Sequence, residues 1–414
     1  MSRGQASGAR PAGKGDPYGL RPSSSLIAPI ASVVGLLLVA WISISLLTGN
    51  LPFHLGRPAA SGAIVGPART PTPSNVVEVP SQSPGDRLDG TLVYAKAGNL
   101  WVQDASGARQ ITSTGGDSMP SLTPDGRILY INTTSRAVTF HYGDHGAVKY
   151  TATYPTMYEI NLDGSGRKKL TDGLFSNGLG TWFYWLREPV MSPDGKTIAL
   201  LSDAPKPYNS NVVLQYYNVK SGKLTRSGVP EVPPLGQQDP TWSPDGSTLL
   251  YVHNGRDGPR GAPQIMRMDW KTKKYKALTG PGYNGPRYSP DGRYLVATKT
   301  STLGTDVVIL DAKSGNELLK VTDDGQSWGG VWSPFGDEIA YLHIEGGVTD
   351  LYVVKLSGTP GAWSLSRPDG LTQSAGLDGA SPPVWYVPPS QLPQPTPTAT
   401  PATPAGGSPA PSGS

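Results

Sequence analysis

The chain has 414 residues, with 52 Gly and 42 Pro against 16% charged residues, which excludes coiled coils and long surface helices and fits a turn-rich β body. It contains no cysteine, so disulfide frameworks, thiolate zinc sites, cysteine nucleophiles and lipid-modified cysteine anchors are excluded. The net charge of +4 is carried by residues before Asp89, and a neutral body lacks the basic footprint that nucleic-acid backbones require, which argues against a nucleic-acid partner.

The N-terminal segment, residues 1–25, is basic: Arg3, Arg10, Lys14 and Arg21 face only Asp16. From Leu26 to Leu47 the sequence LIAPIASVVGLLLVAWISISLL carries no charge. As a helix it reaches roughly 33 Å, enough for a hydrocarbon core of about 30 Å. Pro29 falls in the first turn, and Ser32, Ser43 and Ser45 can bond back within the helix. The competing reading is a cleaved secretory signal, whose apolar region runs about 7 to 15 residues. The greater length here, and the lack of a small-x-small site after Leu47, predict a single-pass transmembrane helix over 26–47. With the basic side first, residues 1–25 are expected in the cytoplasm and the rest outside the cell membrane. Either reading exports the body of the chain. A Pro/Gly/Ser-rich linker follows over 48–88, and residues 390–414, SQLPQPTPTATPATPAGGSPAPSGS, are a Pro/Thr-rich tail with too little apolar surface to fold.

Between these lies a repeat. Five segments align: PSLTPDGRILYI from Pro120, PVMSPDGKTIALLS from Pro189, PTWSPDGSTLLYVH from Pro240, PRYSPDGRYLVATK from Pro286 and VWSPFGDEIAYLH from Val331. Their turn prolines, Pro124, Pro193, Pro244, Pro290 and Pro334, recur at intervals of 69, 51, 46 and 44 residues, the period of a four-stranded propeller blade. Ser-Pro-Asp-Gly puts Pro where a type I turn wants a fixed φ and Gly where the chain turns left-handed, so each copy makes a hairpin. Third strands end in TDLYVVKLSG, DVVILDAKSGN, QIMRMDWKTKK and YEINLDGSG, and fourth strands read KKLTDG, KALTG, LLKVTDDG and KLTRSG. The strands GTLVYAK, NLWVQDASG and ARQIT lack a first strand, whereas SPPVWYVPP from Ser381 lacks followers. Together they predict one blade built from both chain ends, and hence a closed, all-β, six-bladed β-propeller over 89–389.

The recurring W-S-P-D-G followed by I-A-Y or L-L-Y resembles the WD-like repeat of TolB-type six-bladed propellers over Asp89 to Pro389. The chain departs from that pattern at Thr123, at Phe335 and in the sixth unit, where WYVPP has no turn motif. The resemblance implies recognition of a protein or peptide at a propeller face or channel.

In such a ring the SPDG turns share one face, and the opposite face carries the irregular loops where function is expected. One insertion there, DGLFSNGLGTWFYWLREP, brings Trp182, Phe183, Tyr184 and Trp185 beside Arg187 and Glu188. Another runs from Asn132 to Met157 with Arg136, His141, Tyr142, Asp144, His145, Tyr150 and Tyr154. Tyr208, Tyr283 and Trp328 are expected in further loops of the same face. Four consecutive aromatics cannot share one side of a strand, so the run is either an aromatic binding platform for a peptide or glycan, or partly packing at the channel mouth. Trp101, Trp242 and Trp332 read as blade core. His253 and His343 end the matching strands YVH and YLH and are the residues to suspect in the alternative reading, a carbohydrate-active enzyme or glycan binder similar to propeller lyases. His141 and His145 are interleaved with Gly143 and Gly146, which removes helical ligand spacing, and no metal set converges from sequence. No G-x-S-x-G, phosphate loop, H-E-x-x-H or EF-hand is present, so no cofactor is expected. The reading is a membrane-anchored binding or scaffolding module of the cell envelope rather than an enzyme.

Overall fold

The computed structural model describes residues 88–141, 146–177, 180–205, 211–230, 236–254, 262–302, 304–359 and 362–392. The expected membrane helix, most of the linker and the tail lie outside them. Among the described residues no helix is long and apolar enough to cross a membrane.

Six antiparallel sheets form the blades. Blade 1 contains β1 (Thr91–Lys96), β2 (Asn99–Asp104) and β3 (Gly107–Gln110). Blade 2 contains β4 (Asp117–Leu122), β5 (Ile128–His141), β6 (Ala147–Ile160) and β7 (Lys168–Asp172), and adds the hairpin β8 (Leu174–Asn177) and β9 (Gly180–Phe183). Blade 3 is β10 (Arg187–Met191), β11 (Thr197–Ser202), β12 (Val213–Asn218) and β13 (Lys223–Arg226). Blade 4 is β14 (Gln237–Trp242), β15 (Thr248–His253), β16 (Gln264–Asp269) and β17 (Tyr275–Ala277). Blade 5 is β18 (Tyr283–Tyr288), β19 (Tyr294–Thr300), β20 (Thr305–Asp311) and β21 (Glu317–Lys320). Blade 6 is β22 (Ser327–Trp332), β23 (Glu338–Glu345), β24 (Val348–Thr359), β25 (Ala362–Leu365) and β26 (Asp369–Gly370). The last strand, β27 (Val384–Tyr386), pairs with β1 at Leu92↔Trp385 and completes blade 1, the closure expected from the repeat. The Trp385 indole locks that seam by donating to the Asp89 carbonyl at 2.8 Å.

The innermost strands β4, β10, β14, β18, β22 and β27 touch in succession, and β27 returns to β4, so they enclose a central channel. Apolar clusters fill the seams between blades. Leu250, Ile265, Leu295 and Val308 join blades 4 and 5, and Val307, Ile309, Ile339 and Tyr341 join blades 5 and 6. Trp242 and Trp332 are buried in two such clusters, whereas Trp101 is half-buried at a third, with the Lys96 ammonium 5.1 Å from its ring.

The repeat turns explain their own spelling. Ser192, Ser243 and Ser289 donate through Oγ to Asp194, Asp245 and Asp291 at 2.6 Å, and Thr123 does the same to Asp125 at 2.5 Å. The Gly that follows each Asp has a φ of 70° to 82°, which a side chain rarely adopts. At Phe335 the missing carboxylate is replaced from further along, because Ser333 Oγ donates to Asp337 at 2.9 Å. The turn keeps its shape with a substitute acceptor.

Candidate functional site at one mouth of the channel

Each of the first five inner strands carries a bulge at the same place, near the end remote from the SPDG turns. The bulged residues are Met119, Glu188, Asp239, Gly285 and Gly329, with φ of 54°, 49°, 52°, 58° and 66°. Four of them precede a proline, a position that disfavours helical backbone, so left-handed Met, Glu and Asp there are strained by about 1–3 kcal/mol each. Such strain persists because the ring holds it. The Met119 N–H donates to Ser381 Oγ at 3.0 Å, Glu188 N–H to Met119 Sδ at 3.4 Å, Asp239 N–H to Glu188 Oε2 at 2.6 Å and Gly285 N–H to Asp239 Oδ2 at 2.9 Å. Gly285 has no side chain to continue the series, and Thr298 Oγ1 serves instead, accepting from Gly329 N–H at 3.1 Å. Bulge residues thus stitch blade to blade around the channel.

Glu188 and Asp239 place two carboxyl groups side by side in this ring. Burial, and then the Asp239 charge, push Glu188 up to about 7, against weaker opposing pulls from the Asp239 amide, Arg187 and Arg287. Burial also raises Asp239, with Arg287, the Gly285 amide and Arg187 opposing. Both carboxyls are thus pushed toward their protonated forms, with the Arg187 guanidinium 3.7 Å from Glu188 Oε1 opposing the shift. Such a pair can exchange a proton. Immediately before the bulge, Ser118, Arg187, Gln238, Asn284 and Trp328 occupy equivalent ladder positions in five blades.

Blade 2 walls this mouth. The Asn132–Met157 insertion is not a loop but the regular continuation of β5 and β6, paired without a break from Ile128↔Ile160 to His141↔Ala147. The hairpin β8–β9 joins it at Phe140↔Gly180. In the aromatic run, Trp182 stands edge-on to Phe140 with ring centroids 3.9 Å apart, and Tyr184 stacks on Phe175 at 5.4 Å. Phe183 and Trp185 take the other side and meet edge-to-face at 5.9 Å, as strand alternation requires. Trp185 remains 44% exposed, and its N–H donates to Asp203 at 2.7 Å. Arg187 is also exposed.

Tyr283 and Trp328, expected in loops, are the first residue of β18 and the second of β22 instead. Tyr283 donates its hydroxyl to Glu317 at 3.0 Å beside Lys299. Trp328 donates its indole to the Gly379 carbonyl at 2.8 Å and packs into the seam between blades 6 and 1, a role in ring closure. Tyr208 and His145 lie outside the described residues. His253 and His343 do take matching places, opposite Gln237 and Ser327 at the start of their inner strands, but blade 5 stands between them. Burial lowers the His253 pKa. At His343, Nδ1 lies 3.0 Å from Ser327 Oγ and 3.3 Å from Asp324 Oδ2, and Ser327 is fully buried. Both partners meet one ring nitrogen, so the trio ties a loop to β22 and does not form a nucleophile relay. Among the described residues no group of three or more His, Cys, Asp or Glu is placed to hold a metal ion.

The architecture defines an all-β six-bladed propeller of TolB-like fold. TolB from Acinetobacter baumannii is similar over 72% of this chain and 66% of that one, at 21% identity and a TM-score of 0.51. A protein described as TolB from Agrobacterium tumefaciens matches 71% of this chain and 93% of that one, at 18% identity and a TM-score of 0.49. By sequence, the chain is similar to the uncharacterized peptidase YuxL of Bacillus subtilis strain 168, 28% identical over 185 residues, covering 35% of this chain and 25% of that protein. The chain thus spans a quarter of that relative and just under two thirds of the Acinetobacter protein. No family model matches it.

The sequence alone points to Arg187, Glu188 and the aromatic run. It misses Asp239 and the pairing of that residue with Glu188. The available signal was the residue before each repeat proline: Met119, Glu188, Asp239 and Gly285 stand in register, and two of the four are acids.

Proposed function

We propose that the chain is an extracytoplasmic propeller, held at the cell membrane by residues 26–47, that binds a segment of a partner protein at the channel mouth on its enlarged face. The carrying observation is the juxtaposition of exposed Trp185 and Arg187 with the strained acid pair Glu188–Asp239. An aromatic side chain, a guanidinium and a carboxyl pair with raised pKa supply apolar contact, anion pairing and proton exchange at one mouth of the channel. The test is capture from envelope extracts of the source cells by full-length chain, comparing wild type with Arg187→Glu and with Lys196→Glu on the SPDG face. A defined partner lost with Arg187→Glu and kept with Lys196→Glu supports the site. The opposite pattern overturns it.

A second reading, a carbohydrate-active enzyme, is favoured by one observation: a carboxyl raised to about 7 beside a second carboxyl suits general acid–base work. It moves the chemistry from His253 and His343 to Glu188 and Asp239. Turnover of acidic oligosaccharides by wild type that disappears in Glu188→Gln would support it, and no turnover between pH 5 and 8 would remove it.

A further inference from the structure

The β5–β6 hairpin runs well past the body of blade 2, where β7 covers β6 only from Glu159 to Thr156. Beyond Pro155, β6 has β5 on one side and no described strand on the other. The free backbone groups follow from parity. The Thr133 N–H donates to Gly116, away from β6, and its partner across the ladder, Pro155, accepts from Gly173 N–H on its outer side. That pair is therefore of the non-hydrogen-bonded type, and the pattern repeats every second residue. Ala147, Lys149, Thr151 and Thr153 consequently aim both N–H and C=O away from β5. Their side chains are exposed, and Val148 on the other face is 49% exposed. Natural edge strands are usually protected by charges, prolines or bulges. This one has a single charge, Lys149, and a ladder without a bulge.

We propose that this edge pairs with the same edge of a second copy, antiparallel across a two-fold axis, joining the two hairpins into one continuous sheet. The edge is self-complementary. With Tyr150 opposite Tyr150 of the other copy, Lys149 faces Thr151, Ala147 faces Thr153 and Val148 faces Ala152, so no like charges oppose and all four outward residues find partners. Shifting the axis to Thr151 would oppose Ala147 to Pro155, which has no N–H and whose carbonyl is occupied. A strand pair of this length buries less than the roughly 1,200 Å² of a standard interface, so the dimer is weak and concentration-dependent. This inference is independent of the binding mouth.

A chain without cysteine allows a direct test. Full-length Lys149→Cys and Thr151→Cys chains, carrying different tags, are mixed in equal amounts and oxidised. In the proposed register residues 149 and 151 of opposite copies have Cα atoms about 5.5 Å apart, within disulfide reach, whereas like residues lie on a diagonal of roughly 7–8 Å. The mixed disulfide should exceed either homodimer by at least about fivefold, against about twofold for random collision. Adding Thr153→Pro to both chains should abolish it with little change in melting temperature, because that N–H faces away from β5. Absence of a disulfide dimer, a statistical mixture, survival of the cross-link in the proline variant, or capture of a different protein by the Thr151→Cys chain would each overturn the proposal.

Discussion

Replacing Glu188 with Gln tests the acid pair through stability. Gln keeps an oxygen to accept the Asp239 N–H, now 2.6 Å from the carboxylate, but removes the charge. Folding moves Glu188 from an ordinary value of 4.5 to about 7, chiefly through burial, so the fold favours the protonated form. The stability this proton contributes is complete below about 4.5 and is lost as pH rises through about 7. A shift of that size corresponds to about 3 kcal/mol at pH 8. His253 contributes with the opposite sign: burial lowers its pKa, so its contribution is lost as pH falls. It is common to both proteins and cancels in their difference. Thermal melts from pH 5 to 8 should show Glu188→Gln melting several degrees above wild type at pH 8, at about 2–4 °C per kcal/mol for a body of this size, with the gap closing by pH 5. Parallel pH–Tm curves would refute the raised pKa of Glu188.

The other predictions concern closure, turn repair and the extension. Trp385→Ala removes a side chain that is 5% exposed and the bond to Asp89, and should cost roughly 3–5 kcal/mol in chemical denaturation. Asp337→Ala, which strips Ser333 of its substitute acceptor, should cost about 1 kcal/mol, and adding Phe335→Asp, which restores Ser-Pro-Asp-Gly, should recover most of it. Trp182→Ala removes the ring packed on Phe140 and should raise hydrogen exchange along Ala147–Pro155 while the global melt moves little, since the extension lies outside the blade seams.

What the sequence disclosed was set by how local the underlying physics is. Ser-Pro-Asp-Gly specifies its turn within four residues, so blade number, strand order and closure through SPPVWYVPP were legible. The channel ring was not, because Glu188 and Asp239 lie 51 residues apart and meet only after two blades have formed. Nor do their left-handed conformations follow from propensity; neighbouring blades impose them. The stretch from Asn132 to Met157 looked like a loop for a related reason. Its strand register is fixed by pairing across a hairpin, and Thr, Ser and Lys at exposed positions blur the alternation that usually marks strands. The aromatic run was legible as alternating, whereas the assignment of Trp182 and Tyr184 to packing depended on Phe140 and Phe175 arriving from other strands.

In the function proposed above, a partner protein docks at one mouth of the channel and not at the SPDG face. Photo-cross-linking residues placed singly at Trp185 and at Lys196, in full-length chain within membranes of the source cells, compare the two faces directly. A discrete protein adduct is expected at position 185, lost with Arg187→Glu, with none at position 196. An adduct at 196 alone, or one at 185 indifferent to Arg187, would contradict that docking site.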